Sequence, residues 1–209
     1  MPASHEIPTL VGQRVRLEPM TTDHVEGLLV ASNEDRSTYL YTKIPRTREE
    51  MAYYVSDLLG EWELDEAIPF VQIAVEDERV VGATRFMTIR KTAPKEPPFA
   101  IEIGGTWLSM SSQRTAINTE AKLLLLEYAF ATLKVARVDL KADARNDRSR
   151  AAILRLGATY EGVLRSYQPS MVAGEEGYFR DTAMYSIISD EWPGVLESLQ
   201  WHLSRHGVM

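Results

Sequence analysis

The sequence predicts a mixed α/β fold (α+β in its arrangement) around a twisted, mostly antiparallel sheet of about seven strands, with helices on both faces. Three observations support this. The hydrophobic period changes along the chain in the order strand, two helices, three strands, helix, strand, helix, two strands, helix. Two compact polar junctions, residues 106–120 and 141–149, each join a strand pattern to a helical one. No internal repeat divides the chain, and strands and helices do not alternate from the start as a six-strand dinucleotide fold requires.

Residues 11–19 alternate well enough for a first strand, which Pro19 ends. Thr21 or Thr22 can cap a helix to about residue 33, with Val25, Leu28 and Leu29 on one side. Thr47-Arg48-Glu49-Glu50 has capping-box spacing and opens a second helix carrying Met51, Val55, Leu58 and Trp62. Between these helices, residues 39–45 form an aromatic-rich loop suited to a binding wall. Residues 70–75 and 80–89 read as a hairpin turned at 76–79, and a Pro-punctuated link at 90–98 leads into a strand over 99–108. Gly104-Gly105 inside that strand marks a bulge or a close approach of another backbone. The nearly continuous apolar run at 121–133 predicts a helix packed on a sheet with neighbours on its other side. A strand at 135–141, a helix at 146–156 closed by a left-handed Gly157, strands at 158–165 and 178–188, and a helix begun near Pro193 complete the order.

The 209 residues suffice for a single domain with a full core, placed at about 11–192 and followed by a C-terminal helix. With 30 acidic and 23 basic residues the formal charge is -7, which argues against a general nucleic-acid surface and leans towards amine-bearing partners. The absence of cysteine excludes disulfides, thiolate metal sites and cysteine nucleophiles. Residues 1–8 lack the basic start and apolar centre of a signal peptide, and no apolar run approaches the ~20 residues of a membrane helix. A cytoplasmic location is therefore expected. His202 and His206 have helical metal-ligand spacing but no third partner, so no metal is expected and surface roles are preferred.

The two junctions are the candidate chemistry. At Gln113, Arg114, Thr115, Ala116, Ile117, Asn118 and Thr119, backbone donors and a helix start can cradle a diphosphate; an ordinary loop capped by Asn118 or Thr119 is the competing reading. At the second junction, Asn146 either caps a helix or grips an amide, and Ser149 donates a proton or hydrogen bond near a thiol. A phosphate end and an amide-bearing arm are what coenzyme A presents. Glu102, between Ile101 and Ile103, either accepts a proton from an attacking amine or is an exposed strand glutamate, and its pattern alone favours exposure. Asp139 and Asp143 are weaker versions of the same idea.

Taken in order, Glu102–Leu108, Gln113–Ala121, Asn146–Arg150, Leu156–Ala158, Glu161–Arg165 and Arg180–Ser186 resemble the GNAT superfamily of acetyl-CoA-dependent N-acetyltransferases. The likeness is to its RimJ/RimL-type branch, named for N-terminal acetylation of ribosomal proteins, and spans roughly residues 11–192. Against the family's phosphate loop, (Gln/Arg)-x-x-Gly-x-(Gly/Ala), Gln113 matches the first position, Ala116 replaces the first glycine and Asn118 takes the last. An alanine there is tolerated only in a right-handed conformation.

The resemblance implies direct acetyl transfer to a primary amine, of a protein N-terminus or a small molecule, without a covalent enzyme intermediate. It implies that the strand carrying Glu102 splays from the next one to admit the pantetheine arm of acetyl-CoA. The arm's amides then pair with backbone at Trp107, Leu108 and Ser109, and Asn146 holds the arm. Gly104 and Gly105 lie beside the acetyl group, and Glu102 is the base, with a water chain as competitor. The family's usual tyrosine proton donor is replaced by Ile153, and the RimL-like serine corresponds to Ser149. Tyr39, Tyr41, Tyr53, Trp62 and Tyr167 are expected in the acceptor wall, with Glu34, Asp35 and Glu50 as cation-attracting groups. A non-catalytic CoA-binding regulator or scaffold is the alternative, motivated by Ala116 and Ile153. An exposed edge near residues 170–179 suggests a homodimer.

Overall fold

A computed structural model describes residues 7–205. Its strands are β1 (Leu10–Val11), β2 (Val15–Pro19), β3 (Ile68–Ala74), β4 (Val80–Lys91), β5 (Pro98–Leu108), β6 (Arg137–Asp143), β7 (Thr159–Pro169) and β8 (Phe179–Ile188). The helices are α1 (Val25–Asn33), α2 (Arg48–Glu63), α3 (Ile117–Glu127), α4 (Asp147–Arg155) and α5 (Trp192–Arg205). The expected order holds, with local corrections. The first strand is a small hairpin because the Glu120 carboxylate of α3 accepts the N–H groups of Gln13, Arg14 and Val15 at 2.9, 2.7 and 2.9 Å. Helix α3 starts earlier than the apolar run, and continues as a π turn over Tyr128–Thr132. Thr47 caps α2 by accepting the Glu50 N–H at 3.2 Å, and Gly157 takes the left-handed conformation at φ +88°.

The eight strands form one sheet in the order β1-β2-β3-β4-β5-β6-β8-β7. Every neighbouring pair is antiparallel except β5–β6, and that exception creates the cleft. The parallel pairing stops after Ala100↔Arg137, Ile101↔Val138 and Glu102↔Asp139, although both strands continue. Just beyond Glu102, β5 carries a bulge: its register with β4 shifts between Ala83 and Arg85, and Gly105 sits at φ +58°. An extra residue bends and twists a strand locally, which turns β5 away from β6.

Alternation assigns the two sheet faces. Phe86, Ile101, Ile103, Leu140, Tyr185 and Ile187 pack into the larger core with α3, α4 and α5. Val71, Ile73, Ala83 and Trp107 point the other way, into a second core with α1 and α2. Glu102, Lys141, Asp143 and Arg180, each an odd number of positions from an α3-facing residue on its strand, share that second face.

Candidate active site

The parted strands enclose a cavity of about 510 Å³ whose lining draws on both faces of the sheet. Asn118, Lys122, Ile153 and Leu156 line it from the helices α3 and α4, while Tyr39, Tyr41 and Met87 line it from the other side.

At the loop end, Ala116 is the residue before α3 and is right-handed, with φ -73° and ψ -10°. The condition for alanine at this position is therefore met. Asn118 does not cap the helix, as the sequence suggested. It lies within the first turn, and its buried Oδ1 lines the cavity without a hydrogen-bond partner. The N-cap is Ala116, without a side-chain cap bond; just before it, the Thr115 hydroxyl accepts from the Ile117 N–H at 3.2 Å and donates to the Ser112 carbonyl at 2.8 Å. Arg114 takes a positive φ of 62° to turn the loop. Asn146 caps α4, its Oδ1 accepting from the Ser149 N–H at 3.0 Å. Capping uses only the amide oxygen, so the Asn146 side-chain NH2 is still available. Gln113 is turned inwards: its Nε2 donates to the Leu108 carbonyl at 2.8 Å and to Thr38 Oγ1 at 3.1 Å, while its Oε1 accepts from Arg148 across the mouth. The Leu108 carbonyl also accepts from the Tyr39 hydroxyl at 3.0 Å, and Ser109 N–H donates to Val81 at 2.7 Å. A ligand amide seeking Leu108 must therefore displace these internal partners. Burial, partly offset by Arg36, pushes the Tyr39 hydroxyl up to about 12.

On the sheet face, Glu102 is not the exposed strand residue its pattern allowed: it is 3% exposed. Its Oε2 takes both the Lys141 ammonium and the Thr88 hydroxyl at 3.0 Å. Oε1 accepts no hydrogen bond among the described residues and lies over Gly104, where an added Cβ would come within 2.9 Å of it. A side chain at 104 would displace the Met87 sulfur and the Glu102 carboxylate, and one at 105 would be strained by the positive φ. Asp139 is held by Arg137 at 2.6 Å and by Arg90, and Asp143 by Arg145 at 2.8 Å. Burial would raise the Asp143 carboxyl, but hydrogen bonds and charge from Arg145 bring it below the ordinary range. These two carboxylates are therefore committed to ion pairs. Tyr41 lines the cavity with Arg145 over its ring, while Tyr167 reaches it only through Lys141, 5.4 Å above its ring. Tyr53 is 73% exposed and Trp62 packs on the larger core, so neither joins the wall. Glu34, Asp35 and Glu50 are engaged locally by Ser111, Ser37 and Arg46.

The sequence reading missed Lys122, hidden in an apolar helical run. Its buried ammonium donates to Thr84 Oγ1 at 3.0 Å and Thr106 Oγ1 at 2.6 Å, beneath the bulge, and burial lowers it to about 7. A lysine on the buried stripe of α3 was the available signal. No group of three or more metal-binding side chains occurs among the described residues; His202 is on α5, and His206 lies outside them.

Residues 14–159 match the family model described as an acetyltransferase (GNAT) domain. The chain belongs to the GNAT acetyltransferase family. The crystal structure of a GCN5-related N-acetyltransferase from Brucella melitensis superposes with a TM-score of 0.80 at 29% identity, covering 93% of this chain and 85% of that one. Mycobacterium smegmatis RimJ in complex with CoA-disulfide shares the fold at TM-score 0.74 and 21% identity, over 93% and 90% of the two chains. The uncharacterized N-acetyltransferase p20 of Bacillus licheniformis is 24% identical over 89% of this chain and 99% of its own length.

The GNAT fold implies a capacity to bind acetyl-CoA, and the residues present suit it. The orphaned Asn118 Oδ1 and the free amide nitrogen of Asn146 belong to residues that line the gap between the strands. Gln113, Arg114 and Thr115 would bound the diphosphate end. No helix among the described residues is long and apolar enough to cross a membrane.

Proposed function

We propose that this GNAT protein is a RimJ/RimL-type N-acetyltransferase that passes the acetyl group of acetyl-CoA directly to a primary amine, in the cytoplasm. One observation carries the reading: the unpartnered Oε1 of Glu102 lies against Gly104 where β5 leaves β6. Bound acetyl-CoA supplies the acyl group as an activated thioester. Glu102 Oε1 accepts the amine's proton, directly or through one water, while Lys141 and Thr88 hold Oε2 and fix the carboxylate's orientation. The Gly104-Gly105 bulge gives backbone access to the reacting carbonyl. Ser149 lines the cavity with no side-chain partner among the described residues, and serves as the proton source that Ile153 cannot be. Tyr39 and Tyr41 form the acceptor wall, and the acceptor is a peptide N-terminus or a small amine.

Ile153 in the cavity wall also favours a second reading, a CoA-binding regulator without turnover. Calorimetric titration with acetyl-CoA, followed by a thiol-release assay over a broad amine panel, separates the two. Saturable binding with amine-dependent thiol release is expected. Binding without release throughout the panel selects the regulator, and failure of acetyl-CoA to associate ends both readings. The exposed edge strand β7, with Val163 and Leu164 at its surface, supports a homodimer, which sedimentation velocity would detect.

A further inference from the structure

Two guanidinium groups in the cavity have no role in the chemistry above. Arg180 of β8 is 8% exposed, lines the cavity, and makes no hydrogen bond or ion pair among the described residues; its Nε is buried and orphaned. Arg85 of β4 also lines the cavity with a buried, orphaned Nε, packed against the Gly105 bulge. No carboxylate among the described residues pairs with either guanidinium by a hydrogen bond or ion pair, although the charges of Asp143 and Glu102 act on Arg180 from nearby. Asp143 is committed to Arg145, and the Oε2 of Glu102 to Lys141. The cavity lining carries four cations, Arg85, Lys141, Arg148 and Arg180, besides the Lys122 amine that burial lowers to about 7, against Glu102, Asp143 and Asp147, in a protein whose formal charge is -7. Nor do Arg85 and Arg180 sit at the phosphate end. Both alternate with residues on the α3 side, Thr84 and Phe86 on β4 and Ala183 and Tyr185 on β8, so both face the side of Glu102, Tyr39 and Tyr41.

Building on the transferase reading, we infer that Arg85 and Arg180 form an anion subsite on the acceptor side, and that the reacting partner carries a carboxylate. A planar guanidinium presents paired N–H donors matched to a carboxylate, and an orphaned buried guanidinium is stabilised when one arrives. The same positive field favours the unprotonated amine, the form that attacks. The carboxylate belongs either to the amine acceptor, as in an α-amino acid, or to the acyl chain of a dicarboxylic donor such as succinyl-CoA.

The test pairs free amino acids with their amides under acetyl-CoA, and succinyl-CoA with acetyl-CoA over uncharged amines. Turnover is followed by thiol release, and binding of amino acid and amide without any CoA by thermal shift. The carboxylate member of a pair is expected to exceed its neutral partner in kcat/KM by about 100-fold. Arg180→Gln and Arg85→Gln should each collapse that ratio, and Arg180→Lys should restore part of it. The arm showing the preference identifies the source of the carboxylate. Equal use of charged and neutral partners, a preference unchanged in both Gln variants, or no carboxylate-dependent signal in any arm overturns the inference. Failure of acetyl-CoA to bind sinks the transferase reading alone, because amino-acid binding is measured without it.

Discussion

The two ends of the cavity are built differently. The loop end offers backbone donors and short polar side chains from residues adjacent in sequence, with Thr115 and Asn146 satisfying helix starts. The sheet face gathers long charged side chains, Arg85, Glu102, Lys141 and Arg180, from β4, β5, β6 and β8. Under the proposed function the loop end holds the cofactor, while the sheet face moves the proton and chooses the partner. Changes at one end should therefore leave the other's property intact.

The largest effect is expected from Glu102→Gln, which keeps the shape but removes the proton acceptor. Its kcat should fall by about 100-fold or more, while acetyl-CoA affinity measured by calorimetry stays within about twofold. A matching loss of affinity would show that the ends do not act separately.

Helix α3 repeats the comparison on a smaller scale, because Glu120 and Lys122 are each 4% exposed. Three backbone N–H groups satisfy Glu120, whereas Lys122 has only hydroxyl partners. Glu120→Ala orphans those donors and should destabilise the protein by about 3 kcal/mol in urea unfolding. A loss under about 0.5 kcal/mol would mean that the β1–β2 turn does not depend on it.

For Lys122 the sign runs with pH. Its folded value of about 7 lies below the ordinary 10.5, so between them the unfolded chain holds a proton that the folded chain has released. The penalty is full below about pH 7 and fades towards pH 10.5, so stability rises with pH by up to about 1.4 kcal/mol per unit. Lys122→Met should remove this slope, compared by urea unfolding of both proteins over about pH 6 to 9. Parallel curves would contradict a buried amine that titrates there.

The smallest effect is expected at the loop. Ala116 is already right-handed, so Ala116→Gly should change acetyl-CoA affinity by less than about twofold while lowering stability by about 0.5–1 kcal/mol. Binding about tenfold tighter would show that the alanine methyl obstructs the ligand.

Local physics made much of this legible in advance. The helix cap at Thr47, the left-handed Gly157 and the Gly104-Gly105 bulge each follow from a few neighbouring residues, and each is present. The alternation also read Glu102 as pointing away from Ile101 and Ile103. It could not show that this direction leads into a cavity closed by Tyr39 and Tyr41, so it favoured exposure. Asn118 misled for a related reason, because the helix starts at Ile117 after an Ala116 N-cap and leaves the asparagine inside the first turn, lining the gap.

By itself the sequence determined the order of elements and the two polar junctions, since period, caps and glycine conformation act over a few residues. The tertiary structure decided that the first strand would turn on Glu120, that Lys122 would be buried without a carboxylate, and that Arg85 and Arg180 would face the same side of the sheet across the gap. Those outcomes depend on sheet register and on contacts between residues far apart in the chain. A one-residue change of register would carry the same side chains to the opposite face.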